Sequence, residues 1–144
     1  MKCLKIFITL SLVFTLLSAK NSTVDRTDCP KPTIAEIERI NHLYADCLRD
    51  FENNPCENIL MNIVRQKVLV PESNYDCLKK PLKTIMLKSK DQLLKDYAMV
   101  TYIVILTETP LHIGKDQLYV KDPGEFFGFV NTQLPKNLTI NDIK

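Results

Sequence analysis

The side chains able to do chemistry are few, and their spacing does not suit it. Only two histidines occur, His42 and His112. His42 falls on or beside an apolar stripe and His112 follows Pro110 in a loop, so neither has the neighbour that general-base work needs. There is no Gly-rich phosphate-binding loop, no nucleophile elbow and no His-Glu-x-x-His pair. The chain therefore reads as a non-enzyme without a cofactor. After Cys3 come Cys29, Cys47, Cys56 and Cys77, not spaced as Cys-x-x-Cys and with no histidine at zinc-site intervals. No metal site is expected. Four cysteines are instead the material of two disulfides, with three pairings open.

The N-terminus supplies the compartment in which such bridges form. Lys2 and Lys5 flank the apolar run Ile6 to Leu17, which ends in Ser18 and Ala19. This is the pattern of a secretory signal peptide, residues 1–19, with cleavage expected after Ala19. A membrane span would need ~20 apolar residues, so no membrane insertion is expected after cleavage. The mature domain, 20–144, is then secreted into an oxidising, extracellular space. Two sequons suit that location, Asn21-Ser22-Thr23 and Asn137-Leu138-Thr139, making Asn21 and Asn137 candidate glycosylation sites. Removing Lys2 and Lys5 from 19 basic residues leaves 17 against 17 acidic ones. A neutral chain is not steered onto nucleic acid. With 45% hydrophobic and 25% charged residues, it is one globular domain rather than a disordered segment. Only 3 glycines among 144 residues disfavour a hairpin-rich all-β fold.

The elements that would carry these residues are mostly helical. From Thr33, the residues Ile34, Ile37, Asn41, Tyr44, Leu48 and Phe51 recur at three- and four-residue steps, with Ile40, Leu43 and Cys47 widening the stripe. That predicts a helix over 33–52, started by Pro32 and Thr33 and stopped by Asn53-Asn54-Pro55. Residues 57–66 have weaker helical spacing and give way to Val68-Leu69-Val70, a short predicted strand closed by Pro71. A second helix is predicted over 75–87, with Pro81 kinking it or marking its first turn. A third follows Ser89-Lys90-Asp91 and carries Leu93 to Ile105, although Val100 to Leu106 is β-branched enough for a buried strand. Leu118 to Val120 reads as a second short strand. The last helix begins at Asp122-Pro123 and stops at Pro135, with Gly124 and Gly128 weakening it in isolation.

Two long crossovers and one tight turn define up-up-down-down topology. The expected fold is all-α: a short-chain four-helix bundle whose two crossover β-strands pair antiparallel on its surface. In that topology Cys29 and Cys77 lie at one end and Cys47 and Cys56 at the other, predicting bridges Cys29–Cys77 and Cys47–Cys56.

Several segments resemble a known family. Glu125-Phe126-Phe127-Gly128-Phe129-Val130-Asn131-Thr132 is similar to the last helix of the interleukin-5 branch of the short-chain cytokines. Lys67 to Pro71, followed by Cys77, resembles that branch's first crossover strand and the cysteine opening its second helix. Ile34-Ala35-Glu36-Ile37 resembles the first helix of the interleukin-3 and interleukin-4 branches, and Leu118 to Asp122 resembles the strand entering the last helix in the interleukin-3 and interleukin-13 branches. The likeness covers about a third of the mature chain, in the right order. It implies a cytokine or growth factor of the interleukin-3, interleukin-5 and colony-stimulating-factor group, with cytokine receptor ectodomains as partners in immune or haematopoietic signalling. It also implies a receptor contact at Glu36, about 100° around the helix from the buried stripe, with Glu38 and Arg39 beside it. The family's covalent dimer needs a second-strand cysteine, and Gln117 to Lys121 has none. A monomer or a non-covalent homodimer is expected. The competing reading is a secreted helical carrier or effector binding a small hydrophobic ligand, which would need a pocket of about 300 Å³ or more.

Overall fold

The computed structural model describes residues 32–108 and 111–134. The signal segment, Asn21, Cys29 and Asn137 lie outside the described residues, and with Cys29 the expected Cys29–Cys77 bridge.

Thr33 starts the first helix, α1 (Ile34–Arg49), through a capping box. The threonine hydroxyl accepts from the Glu36 N–H, and the Glu36 carboxylate accepts from the Thr33 N–H. Ile37, Asn41, Ala45 and Leu48 are the buried residues of α1, one stripe at helical spacing. It is turned from the expected stripe: Ala45 is buried, while Leu43 is 45% exposed. An alanine hardly registers in a hydropathy pattern, yet its small side chain suits a close-packed interior.

The next element is a correction. Glu57–Leu69 is a helix, α2, and the expected strand at Val68 to Val70 is its last turn and C-cap, closed by the Val70 N–H on the Gln66 carbonyl at 2.8 Å. Ile59, Leu60, Met61, Ile63 and Val64 are all buried along it. Burying five apolar side chains outweighs the β preference of three residues, which tertiary context readily overrides. The second expected strand fails the same way. Lys115–Leu118 is a one-turn helix, α5, followed by a turn in which the Tyr119 N–H bonds the Asp116 carbonyl at 3.2 Å. Among the described residues there is no strand.

With α2 in place the first crossover is itself a helix. α3 spans Asp76–Lys88 and runs straight through the buried Pro81. α4 spans Gln92–Leu106 and is capped by the Asp91 carboxylate, which accepts from the Leu93 and Leu94 N–H groups. The links before α2, α3 and α4 are short, which favours antiparallel neighbours. The Asn41 amide donates to the Asn74 carbonyl at 3.0 Å, setting the start of α3 beside the first half of α1. At the other end the α3–α4 turn, Ser89 to Asp91, borders Phe51 to Glu57. Helices α1 and α3 therefore run one way and α2 and α4 the other. The expected helices α1, α3 and α4 thus keep the directions predicted for them, and α2 is an additional helix where a crossover was expected.

Tyr97, Ala98 and every residue from Val100 to Ile105 are buried, so α4 is apolar nearly all round and packs against α2, α3 and the last helix. That last helix is α6 (Pro123–Gln133), with Asp122 accepting from the Glu125 N–H and proline in its first turn. Phe127 stacks on Tyr97 with centroids 4.3 Å apart, and Phe126 meets Phe127 edge-on at 5.4 Å. Leu48, Leu60, Ile63, Val64, Leu78, Leu82, Ile85 and Val130 have no exposure, so side chains fill the interior. Cys47 is half-buried and Cys56 buried. The buried Cys56 thiol turns back to donate to the Asn54 carbonyl at 3.3 Å, held by its place at the N-cap of α2.

Candidate functional site

The first turn of α1 carries the expected recognition residues. Glu36 is exposed, but one carboxylate oxygen already accepts from both the Thr33 N–H and the Thr33 hydroxyl, each at 2.8 Å. These bonds, the backbone one first, hold its carboxyl below the usual range. The cap alone is a sufficient structural use for a glutamate at this position. Arg39 is exposed beside it, and Glu38 is half-buried.

Glu38 turns toward a different group. With His42, Asn74 and Cys77 it lines a cavity of about 230 Å³ beside α1 and the start of α3. A thiol, an imidazole and a carboxylate on one wall are the nearest approach in the described structure to a nucleophilic set. Burial pushes the Cys77 thiol up, and the nearby Arg49 charge only partly offsets this. A nucleophilic cysteine needs the opposite shift, toward thiolate at neutral pH. Among the described residues no cluster of three or more His, Cys, Asp or Glu could hold a metal ion.

The outer side of α2 holds the more developed arrangement. Asn62 bonds the Tyr44 hydroxyl and accepts from the Arg65 guanidinium at 3.0 Å. A second guanidinium nitrogen donates to the Val120 carbonyl, and the group lies over the Phe126 ring at 5.0 Å. Burial lowers the Arg65 pKa and raises that of Tyr44. Arg65 thus ties α1, α2 and the α5–α6 link together.

Beside Arg65 lies an open groove of about 480 Å³. Asn58, Met61, Arg65 and Leu69 form its α2 wall, and Leu118, Tyr119 and Lys121 stand opposite. The two segments expected to pair as strands do meet here, as a helix face and a turn. Sequence reasoning missed Arg65 and Met61, although residues 58, 61, 65 and 69 repeat at three- and four-residue steps. That signal becomes visible only once the segment is read as a helix through Leu69.

No protein-family model matches the chain, and no curated protein or solved structure matches it either.

Proposed function

We propose that the protein is a secreted, non-enzymatic signalling ligand that binds the ectodomain of a cell-surface receptor, as helical cytokines do. The observation that carries this reading is the distribution of side chains. The interior is filled, while Glu36, Arg39 and the groove beside α2 face solvent. A carrier for a hydrophobic molecule encloses most of its ligand, whereas the spaces of about 410 and 480 Å³ here open to solvent. Helices α1 to α4 make up a four-helix bundle in this reading, with α6 packed on α2 and α4. The helical α2 stands where the interleukin arrangement has a crossover strand, so the kinship rests on the resembling segments alone. Glu36, Glu38 and Arg39 form one receptor contact, and the ligand acts as a monomer or a non-covalent homodimer.

The test is surface plasmon resonance of the mature chain, 20–144, against a panel of cytokine-receptor ectodomains. Saturable binding to one of them is expected. A folded protein that binds none of the panel, and that retains a hydrophobic molecule through purification, overturns the reading in favour of a carrier.

A further inference from the structure

We infer that the groove between α2 and the α5–α6 link is the contact surface for a protein partner that presents apolar side chains flanked by carboxylates. This rests on the reading of the protein as a receptor ligand and names the chemistry of the surface it would meet. Asn58 to Leu69 spans three turns of α2, a wall about 16 Å long at 1.5 Å per residue. Leu69 is its solvent-facing apolar member, with the buried Met61 at its floor, and Leu118 and Tyr119 stand opposite. Leu69 is 48% and Tyr119 80% exposed, so both of these apolar side chains meet solvent at the groove. Aromatic residues and arginine are among the types enriched where proteins bind proteins.

The charges point to the partner's sign. Both charged residues lining the groove, Arg65 and Lys121, are cations. Arg65 is partly desolvated, yet its partners are the neutral Asn62, the Val120 carbonyl and the face of Phe126. Its buried Nε has no acceptor. Lys121 is exposed, and its neighbour Asp122 turns one carboxylate oxygen to the Glu125 N–H, 2.8 Å away, as the cap of α6. Among the described residues neither Arg65 nor Lys121 forms an ion pair, and two cations side by side favour an incoming carboxylate, both by steering and by charge-assisted hydrogen bonding. The groove is open along its length, so it would leave a small amphiphile largely in water. Apolar side chains on one face of a partner helix suit it better, in the manner of helix-in-groove recognition.

The test is an NMR titration of the uniformly ¹⁵N-labelled mature chain with two capped synthetic peptides. One carries leucines on one helical face and glutamates on the other; its counterpart has lysines in place of the glutamates. The glutamate peptide is expected to shift the amides of Leu69, Leu118, Tyr119 and Lys121, and the lysine peptide to leave them in place. Lys121→Glu and Tyr119→Ala, both at exposed positions, should each weaken the interaction about tenfold or more, and Lys121→Arg should retain it. Absence of shifts with the glutamate peptide, equal shifts with the lysine peptide, or unchanged affinity in Lys121→Glu overturns the inference. Ectodomain binding that survives in Lys121→Glu alongside a silent groove removes the groove and leaves the receptor reading. A groove that takes the glutamate peptide in a protein that binds no ectodomain does the reverse.

Discussion

Glu36 has two possible uses, and two substitutions separate them. Glutamine also accepts from the N-cap N–H in a capping box, so Glu36→Gln keeps the cap and removes the charge. If the charge meets a receptor, Glu36→Gln lowers receptor affinity while leaving the helical circular dichroism unchanged. Thr33→Ala does the converse: it should cost about 0.5–2 kcal/mol of stability in urea denaturation, with affinity retained. Unchanged affinity in Glu36→Gln would leave Glu36 as a cap only. The pH dependence follows from the lowered carboxyl pKa. A carboxylate held lower in the folded state than in the unfolded one stabilises above the usual glutamate value, 4.5, and that contribution is lost as pH falls through the folded value. The Thr33 amide resonance, followed from neutral pH to acid, should report its hydrogen bond breaking below 4.5. The glutamate itself was legible as an exposed first-turn acid; its partner was not, because capping geometry depends on the backbone turning at Thr33.

Among the elements, α2 and α6 give the sharpest expectations. In α2, Ile63 has no exposure and Leu69 is 48% exposed. Ile63→Ala should cost about 2–5 kcal/mol, and Leu69→Ala should stay within about 0.5 kcal/mol, both measured by urea denaturation. Equal costs would contradict the helical register. In α6, Gly128 is exposed, its φ is negative, and a Cβ there would meet nothing within 4 Å. Gly128→Ala should therefore stabilise by about 0.5–1 kcal/mol, because glycine carries extra backbone entropy into a helix. A raised melting temperature checks it. Gly124 is different: a Cβ there would approach the capping Asp122 carboxylate to 3.1 Å. The sequence marked both glycines as weak points of the last helix, and only the packing around them separates the tolerant position from the crowded one.

For the whole molecule, the buried tyrosines set an alkaline limit. The Tyr75 hydroxyl donates to the Val70 carbonyl at 2.9 Å, joining the α2–α3 link to itself, and burial raises its pKa. Burial raises Tyr44 as well. An acid held protonated in the folded state contributes stability below the unfolded value of 10, and that contribution is lost as pH rises beyond it. Unfolding by circular dichroism should then coincide with tyrosinate absorbance above pH 10, and Tyr75→Phe should flatten the dependence. Tyrosine ionising in a protein that stays folded would contradict this.

What the sequence determined by itself was local. The ends of α1, α4 and α6 were marked by Thr33, Asp91 and Asp122-Pro123, whose side chains or rings act on backbone groups a few residues away. The all-α class was legible for the same reason, because amphipathic spacing lies within one segment. The tertiary structure alone decided the fate of Val68 to Val70, since burial of Ile63 and Val64 against other helices holds that segment in helical form. That one changed element turned a supposed crossover into a helix, while α3 and α4 kept the directions expected of them. The surroundings of Arg65 were out of reach too. They come from Tyr44, Asn62, Val120 and Phe126, the Val120 carbonyl lying 55 residues along the chain. No short-range pattern encodes which distant groups meet: that choice belongs to the packing of the whole core.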